Sequence, residues 1–164
     1  MKLLKMESGT EIKQAALYKV GDCQIDEYDV DCIANHDFLT DRTLLFFITY
    51  FYTKFAKEFK KKVEIISPEV VHLIKMVDES KEILIPLKLN TKKLIILLIN
   101  DCVSAESGGG SHWSLLVYYQ KSNSFYHFDS MGNSNGNHAS IVADKVTEVL
   151  DGFLNYLILI SASP

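Results

Sequence analysis

Between Lys92 and Ser130 the chain holds three strand-like runs in close succession, and an all-helical fold cannot accommodate them. "KKLIILLIND" at 92–101 is short, apolar and rich in β-branched residues, the composition of a buried central strand. "SHWSLLVYYQ" and "SFYHFDS" flank "KSN" and read as a hairpin. The rest of the chain must be arranged around that sheet.

Helical periodicity supplies the other layer. In "FLTDRTLLFFITYFYTKFAKEF", Leu44, Phe47, Ile48, Phe51 and Phe55 recur at helical spacing, with Thr40 or Asp41 available to cap the free first-turn amides. "SPEVVHLIKMV" places Ser67 as a cap and Pro68 at the first helical position, with His72 read as a surface residue. "NHASIVADKVTEVLDGFL" predicts a helix with Asn137 as a possible cap, and "YLILI" at 156–160 one more strand. The expected order is helix, helix, three strands, helix, strand, which is an α+β domain with a central, mostly antiparallel sheet and flanking helices. Residues 1–24 show weak periodicity and are expected to be a partly disordered lead-in to one domain at 25–164.

Composition narrows the class. The chain has 164 residues, 48% apolar and 23% charged, enough to bury a core without disulfides. Cys23, Cys32 and Cys102 are odd in number, widely spaced and without a CxxC pair, which argues against a disulfide framework or a zinc site. The N-terminus lacks a signal-peptide pattern, and the longest apolar runs are too short to span a bilayer. No membrane role is expected, and a reducing compartment, cytoplasm or nucleus, is. A net charge of −4 argues against a nucleic-acid partner. "EFKKK" reads as the solvated end of a helix, and "IDEYDVD" as an acidic loop that could also attract a basic partner.

The chemistry lies at the open end of the hairpin. His112 opens the first strand and Asp129 closes the second, so both belong to the same end. The register decides whether they meet. If they do, the carboxylate fixes the imidazole tautomer and leaves the other nitrogen as a base, two-thirds of a nucleophilic triad. His127 is a rival, although its aromatic neighbours favour a packed core histidine. The "ESGGGS" segment before His112 is either a flexible connection or a lid over an extended peptide, and Trp113 is either core or part of that site.

"GGGSHWSLLVYYQKSNSFYHFDSMGNSN" resembles the His–Asp hairpin of the Ulp/sentrin-specific cysteine proteases, the ubiquitin-like proteases, and is most similar to their deneddylase branch. The triad His followed by Trp corresponds to His112-Trp113, and the triad Asp to Asp129 within His127-Phe128-Asp129-Ser130. "ISPEVVHLIK" and "LILLIND" also resemble that branch, and the whole resemblance covers about residues 25–155. It implies a papain-like fold of the Ulp type and cleavage after the C-terminal Gly-Gly of a ubiquitin-like modifier, the Nedd modifier rather than SUMO. It places Trp113 and Phe38 over a narrow tunnel, Asp41 opposite a basic residue near the modifier's tail, and the loop 102–110, with Gly109 and Gly110, over that tail. No metal or organic cofactor is implied.

Two departures stand out. Phe38 replaces the Trp of the family's Trp-Leu-x-Asp motif, here "FLTD". The family's nucleophilic Cys lies in a Gln…Asp-Cys-Gly segment that, counted from Asp129, falls past Pro164. Cys102 has no helix N-terminus to depress its pKa, and Cys23 and Cys32 lie in the N-terminal lead-in. The resemblance thus implies a thiol isopeptidase truncated before its nucleophile and inactive as it stands. The alternative is a catalytically dead module that binds a ubiquitin-like modifier. Either way, the apolar sheet is expected to lack part of its cover.

Overall fold

The computed structural model describes residues 16–55, 57–104 and 110–150, together with the backbone of 156–161. Strands β1 (Tyr18–Val20) and β2 (Cys23–Ile25) form a small antiparallel hairpin. Helices α1 (Glu27–Ala34), α2 (Asp41–Lys54) and α3 (Lys57–Lys62) follow. Strand β3 (Val63–Ile66), helices α4 (Pro68–Met76) and α5 (Lys81–Leu84) and two 3-10 turns lead to β4 (Leu94–Asn100). Then come β5 (Trp113–Tyr119), β6 (Ser124–Asp129), α6 (Gly136–Thr147) and β7 (Tyr156–Ser161).

The main sheet has the order β3-β4-β5-β6-β7. It is α+β as expected, but evenly mixed rather than mostly antiparallel. The β4–β5 and β5–β6 pairs are antiparallel, whereas β3–β4 and β6–β7 are parallel. The reason is connectivity. A short turn returns β6 antiparallel beside β5, but α4 and α5 stand between β3 and β4 and α6 between β6 and β7, and such crossovers deliver a strand in the same direction.

Strand alternation sorts the sheet into two unlike faces. Ile95, Leu97, Ile99, Leu116, Phe125 and His127 point to one face and are almost fully buried, joining Val71 and Ile74 of α4 and Val142 and Val146 of α6 in the core. Leu94, Ile96, Leu98, Leu115, Val117 and Tyr126 point to the other and are only half-buried. Phe128, on that same face, is 41% exposed.

The end of the lead-in is ordered, and two local expectations are corrected. Residues 18–24 of the lead-in, with Ile25, form the β1–β2 hairpin, turning at Gly21 with φ of 60°, a conformation glycine adopts without penalty. Residues 1–15 lie outside the described residues. The acidic stretch at 25–31 is not loop: Ile25 ends β2, Asp26 caps α1 and residues 27–31 lie in it, because its carboxylates build their own cap. Asp26 accepts from the Asp29 amide at 3.2 Å while Asp29 accepts from the Asp26 amide at 3.1 Å. His72 is half-buried, its Nε2 lying 2.9 Å from the Ser104 carbonyl.

Candidate active site

The hairpin register pairs Leu115 with Phe128 and Leu116 with His127. One step further carries Asp129 to the level of Ser114, two residues from His112, on the buried face. The side chains meet: His112 Nε2 lies 2.6 Å from Asp129 Oδ1. With the carboxylate on Nε2, Nδ1 is the nitrogen left to exchange a proton.

Asp129 is 1% exposed and wrapped by donors. Besides His112, Oδ1 accepts from the Met131 amide at 2.9 Å, and Oδ2 accepts from the Asn135 amide at 2.9 Å and the Ser134 hydroxyl at 3.4 Å. Burial alone pushes its pKa up. The backbone amides of Asn135 and Met131 and the His112 ring outweigh that and hold it at about 2. The group is therefore a fixed anion at any physiological pH.

His112 is held from behind by Asp101. Asp101 Oδ1 accepts from the amides of Ser111 at 2.7 Å and His112 at 3.2 Å, and Oδ2 accepts from the Ser111 hydroxyl at 2.8 Å. Those donors depress its pKa despite burial. On the other stem, Lys75 Nζ donates to the carbonyls of Asn100 and Cys102, each at 2.6 Å, and burial pushes that ammonium's pKa down. Gly110 sits between the stems with φ of 98°, where a Cβ would overlap Asn100 Oδ1 and lie 2.6 Å from Asp101 Oδ1. Gly109 lies outside the described residues.

Beside His112 runs a groove of about 460 Å³ lined by Tyr28, Phe38, Leu39, Thr40, Asp41, Arg42, Asn100, Gly110 and Trp113. Four of the residues expected at the site thus converge there: Trp113, Phe38, Asp41 and Gly110. Trp113 is not enclosed in the core. Its indole Nε1 donates to the Leu39 carbonyl at 3.0 Å, linking β5 to the segment before α2. Phe38 is 70% exposed. Thr40, not Asp41, caps α2 by accepting from the Thr43 amide at 3.0 Å. Asp41 begins the helix, and burial, then the nearby Glu69 carboxylate, raises its pKa.

The far wall is anchored by a pair that sequence reasoning did not single out. Arg42 Nε bonds Asp29 Oδ2 at 2.7 Å, and its Nη2 bonds Asp26 Oδ2 at 2.8 Å. Asp29 Oδ1 also accepts from the hydroxyls of Thr40 at 2.7 Å and Thr43 at 3.2 Å. Burial pushes the Asp29 pKa up, and these donors bring it below its ordinary value. Asp101 and Asn135 were likewise missed, since an isolated Asp or Asn in a loop carries no periodic signal.

The remaining candidates fall elsewhere. His127 is buried, with Nε2 at 2.9 Å from Ser114 Oγ, and burial pushes its pKa down. It is a core histidine. Cys23 Sγ lies 3.3 Å from Thr49 Oγ1, Cys32 is buried in α1, and Cys102 Sγ points to the Ser104 carbonyl at 3.6 Å. Among the described residues no cluster of His, Cys, Asp or Glu could hold a metal ion.

A two-faced α+β sheet thus presents a His–Asp pair at its hairpin end with an aromatic groove beside it, the base-and-acid part of a nucleophilic hydrolase site. Residues 36–159 match the Ulp1 protease family, C-terminal catalytic domain, and the chain belongs to that family. It is 39% identical over 132 residues to human sentrin-specific protease 8, a match covering 79% of this chain. It is 35% identical over 106 residues to NEDD8-specific protease 1 of Arabidopsis thaliana, covering 62% of this chain and 46% of that one. The chain spans 62% of the length of the human relative. Among solved structures, the C-terminal Ulp1 protease domain in complex with SMT3, the yeast ortholog of SUMO, superposes with a TM-score of 0.63. That match has 14% identity and covers 93% of this chain and 68% of that one, a likeness of fold.

Proposed function

We propose that this chain carries the His–Asp half of a thiol isopeptidase that releases ubiquitin-like modifiers by cutting after their C-terminal Gly-Gly. The observation that carries the reading is the 2.6 Å contact between His112 and a fully buried, anionic Asp129, opening beside the groove of Trp113 and Phe38. His112 Nδ1 takes the proton of a cysteine thiol. The thiolate adds to the carbonyl of the terminal Gly, and the imidazolium returns the proton to the departing amine. Water then hydrolyses the thioester, with the same imidazole as base. Asp129 stays ionised throughout and stabilises the imidazolium.

The preferred substrate is the Nedd modifier rather than SUMO. Support comes from the relative named NEDD8-specific protease 1, 35% identical over 106 residues. A reducing compartment, cytoplasm or nucleus, suits its three free thiols. None of Cys23, Cys32 and Cys102 is the nucleophile. Cys23 Sγ lies against Thr49 Oγ1, Cys32 is buried on α1 beside Tyr28, and Cys102 Sγ bonds the Ser104 carbonyl.

The test is binding and turnover measured together. The 164-residue chain is expected to bind a Nedd-type modifier ending in Gly-Gly, to lose binding when the penultimate Gly becomes Ala, and to show no turnover of a fluorogenic modifier substrate. Equal binding of the Ala-tailed modifier overturns the groove assignment. Turnover that vanishes in C102A overturns the exclusion of Cys102.

A further inference from the structure

Asn135 occupies the N-cap of α6, where an Asn side chain ordinarily accepts from the first-turn amides of its own helix. Here it makes no such bond. The residue is fully buried, its Oδ1 has no hydrogen-bond partner among the described residues, and its Nδ2 is turned away from the helix. Its two N–H groups are shared instead among three acceptors, the carbonyls of Ile99 at 3.2 Å and His112 at 3.3 Å and Ser114 Oγ at 3.1 Å. The backbone amide of the same residue donates to Asp129 Oδ2 at 2.9 Å. Helix capping has been given up for a cross-link between the end of β4, the start of β5 and the end of β6 that carries the acid. The reverse amide orientation would set Oδ1 against two carbonyl oxygens, so the donor assignment is the one the surroundings allow.

Two distances are fixed at once. Clamping Oδ2 of Asp129 fixes the carboxylate plane and so the direction in which Oδ1 faces. Clamping the His112 carbonyl fixes the main chain from which the imidazole projects. We propose that Asn135 is a positioning residue for the acid–base pair, setting the His112–Asp129 separation through its backbone amide on the acid and its side-chain amide on the base. This rests on the reading of His112 as the base, but its test does not need turnover.

The experiment uses the 164-residue chain labelled with ¹⁵N and ¹³C. In the unsubstituted protein the Nε2-bound proton of His112 should be visible and slow to exchange, and the Asp129 carboxyl should titrate near 2. In N135A, N135S and the isosteric but donor-less N135D, that proton should exchange at least about tenfold faster. The Asp129 titration should move up in N135A and N135S. Variants with a lowered Tm but unchanged His112 proton and Asp129 titration would reduce Asn135 to a fold residue, and N135D behaving as wild type would show that shape rather than donation matters. If the variants do not fold, exchange in the unsubstituted chain decides. The Asn135 side-chain amide and the His112 ring proton should open together. A freely exchanging amide beside a protected ring proton overturns the proposal. Loss of modifier binding with these signals intact would count against the proposed function and not against Asn135.

Discussion

Asp129 carries its own pH signature. Its folded pKa of about 2 lies below the usual value of about 3.9 for an aspartate. A depressed carboxylate contributes stability that is fully present above the unfolded value and is lost as pH falls through the folded one. The contribution at neutral pH is about 2–3 kcal/mol, lost progressively between about pH 5 and pH 1. Unfolding free energies of wild type and D129N, measured from pH 7 to pH 2, should therefore differ in acid slope by that amount, because Asp29 and Asp101 titrate in both. Parallel curves would show that the amides around Asp129 do not hold its charge. Gly110 makes a second claim at this scale. Gly110 and Gly132 both have positive φ, 98° and 76°, but a Cβ at Gly132 meets nothing within 4 Å, while one at Gly110 strikes Asn100 and Asp101. Both alanine variants incur the backbone strain, about 1–3 kcal/mol. G110A should cost at least about 1 kcal/mol more by denaturant midpoint, because displacing Asp101 also breaks the clasp on Ser111 and His112. Equal costs would mean the loop stems yield freely.

Elements were legible where a period or a cap writes itself into the residues. Thr40 as the cap of α2, Pro68 at the start of α4, and the hairpin around "KSN" all stand where the pattern puts them, whereas the stripe read on α2 does not: Phe47, Phe51 and Phe55 are exposed, and the helix buries Thr43 and Phe46 instead. The His112–Asp129 pairing followed from strand placement, but its register was settled only by the packed sheet. What escaped was information held between elements. β3 is four residues long and leaves no usable alternation. The parallel pairings depend on crossovers, and the acidic run of α1 reads as loop until Arg42, from another helix, is seen to neutralise it. That pair yields a prediction about how α1 and α2 hold the groove. Asp29 is fully buried and Arg42 48% exposed, so R42A strands a buried carboxylate and should cost about 2–3 kcal/mol. K61A, which removes an exposed pair with Glu58, should stay within about 0.5 kcal/mol of wild type. The one tryptophan reports the local effect, since Trp113 Nε1 is bonded to Leu39 two residues before α2. R42A should red-shift its emission and K61A should not. An unchanged spectrum in R42A would uncouple the ion pair from the groove wall.

At the scale of the molecule, the sheet is a partition with one finished side. On the α4–α6 face the strands are sealed, and burial there of residues such as Ile95, Leu97, Leu116 and Phe125 contributes roughly 1.5–3 kcal/mol each. On the opposite face Leu98, Trp113, Leu115 and Phe128 line a shallow apolar hollow of about 320 Å³ that reaches Asp129 and Ser130. The same side chains gain only part of their transfer energy there. Net stability is a difference of about 5–15 kcal/mol between large terms, so a half-used face weighs on the whole chain. A contiguous apolar hollow beside an edge strand, β7, is also a route to association. The 164-residue chain is therefore expected to bind a hydrophobic dye at neutral pH and low temperature, and to self-associate on concentration. F128K should lower both signals without loss of stability, because Phe128 is already 41% exposed and contributes little to the core. A monomer that unfolds cooperatively above about 60 °C and binds no dye would show that this face is sealed and that the sheet is stabilised equally from both sides.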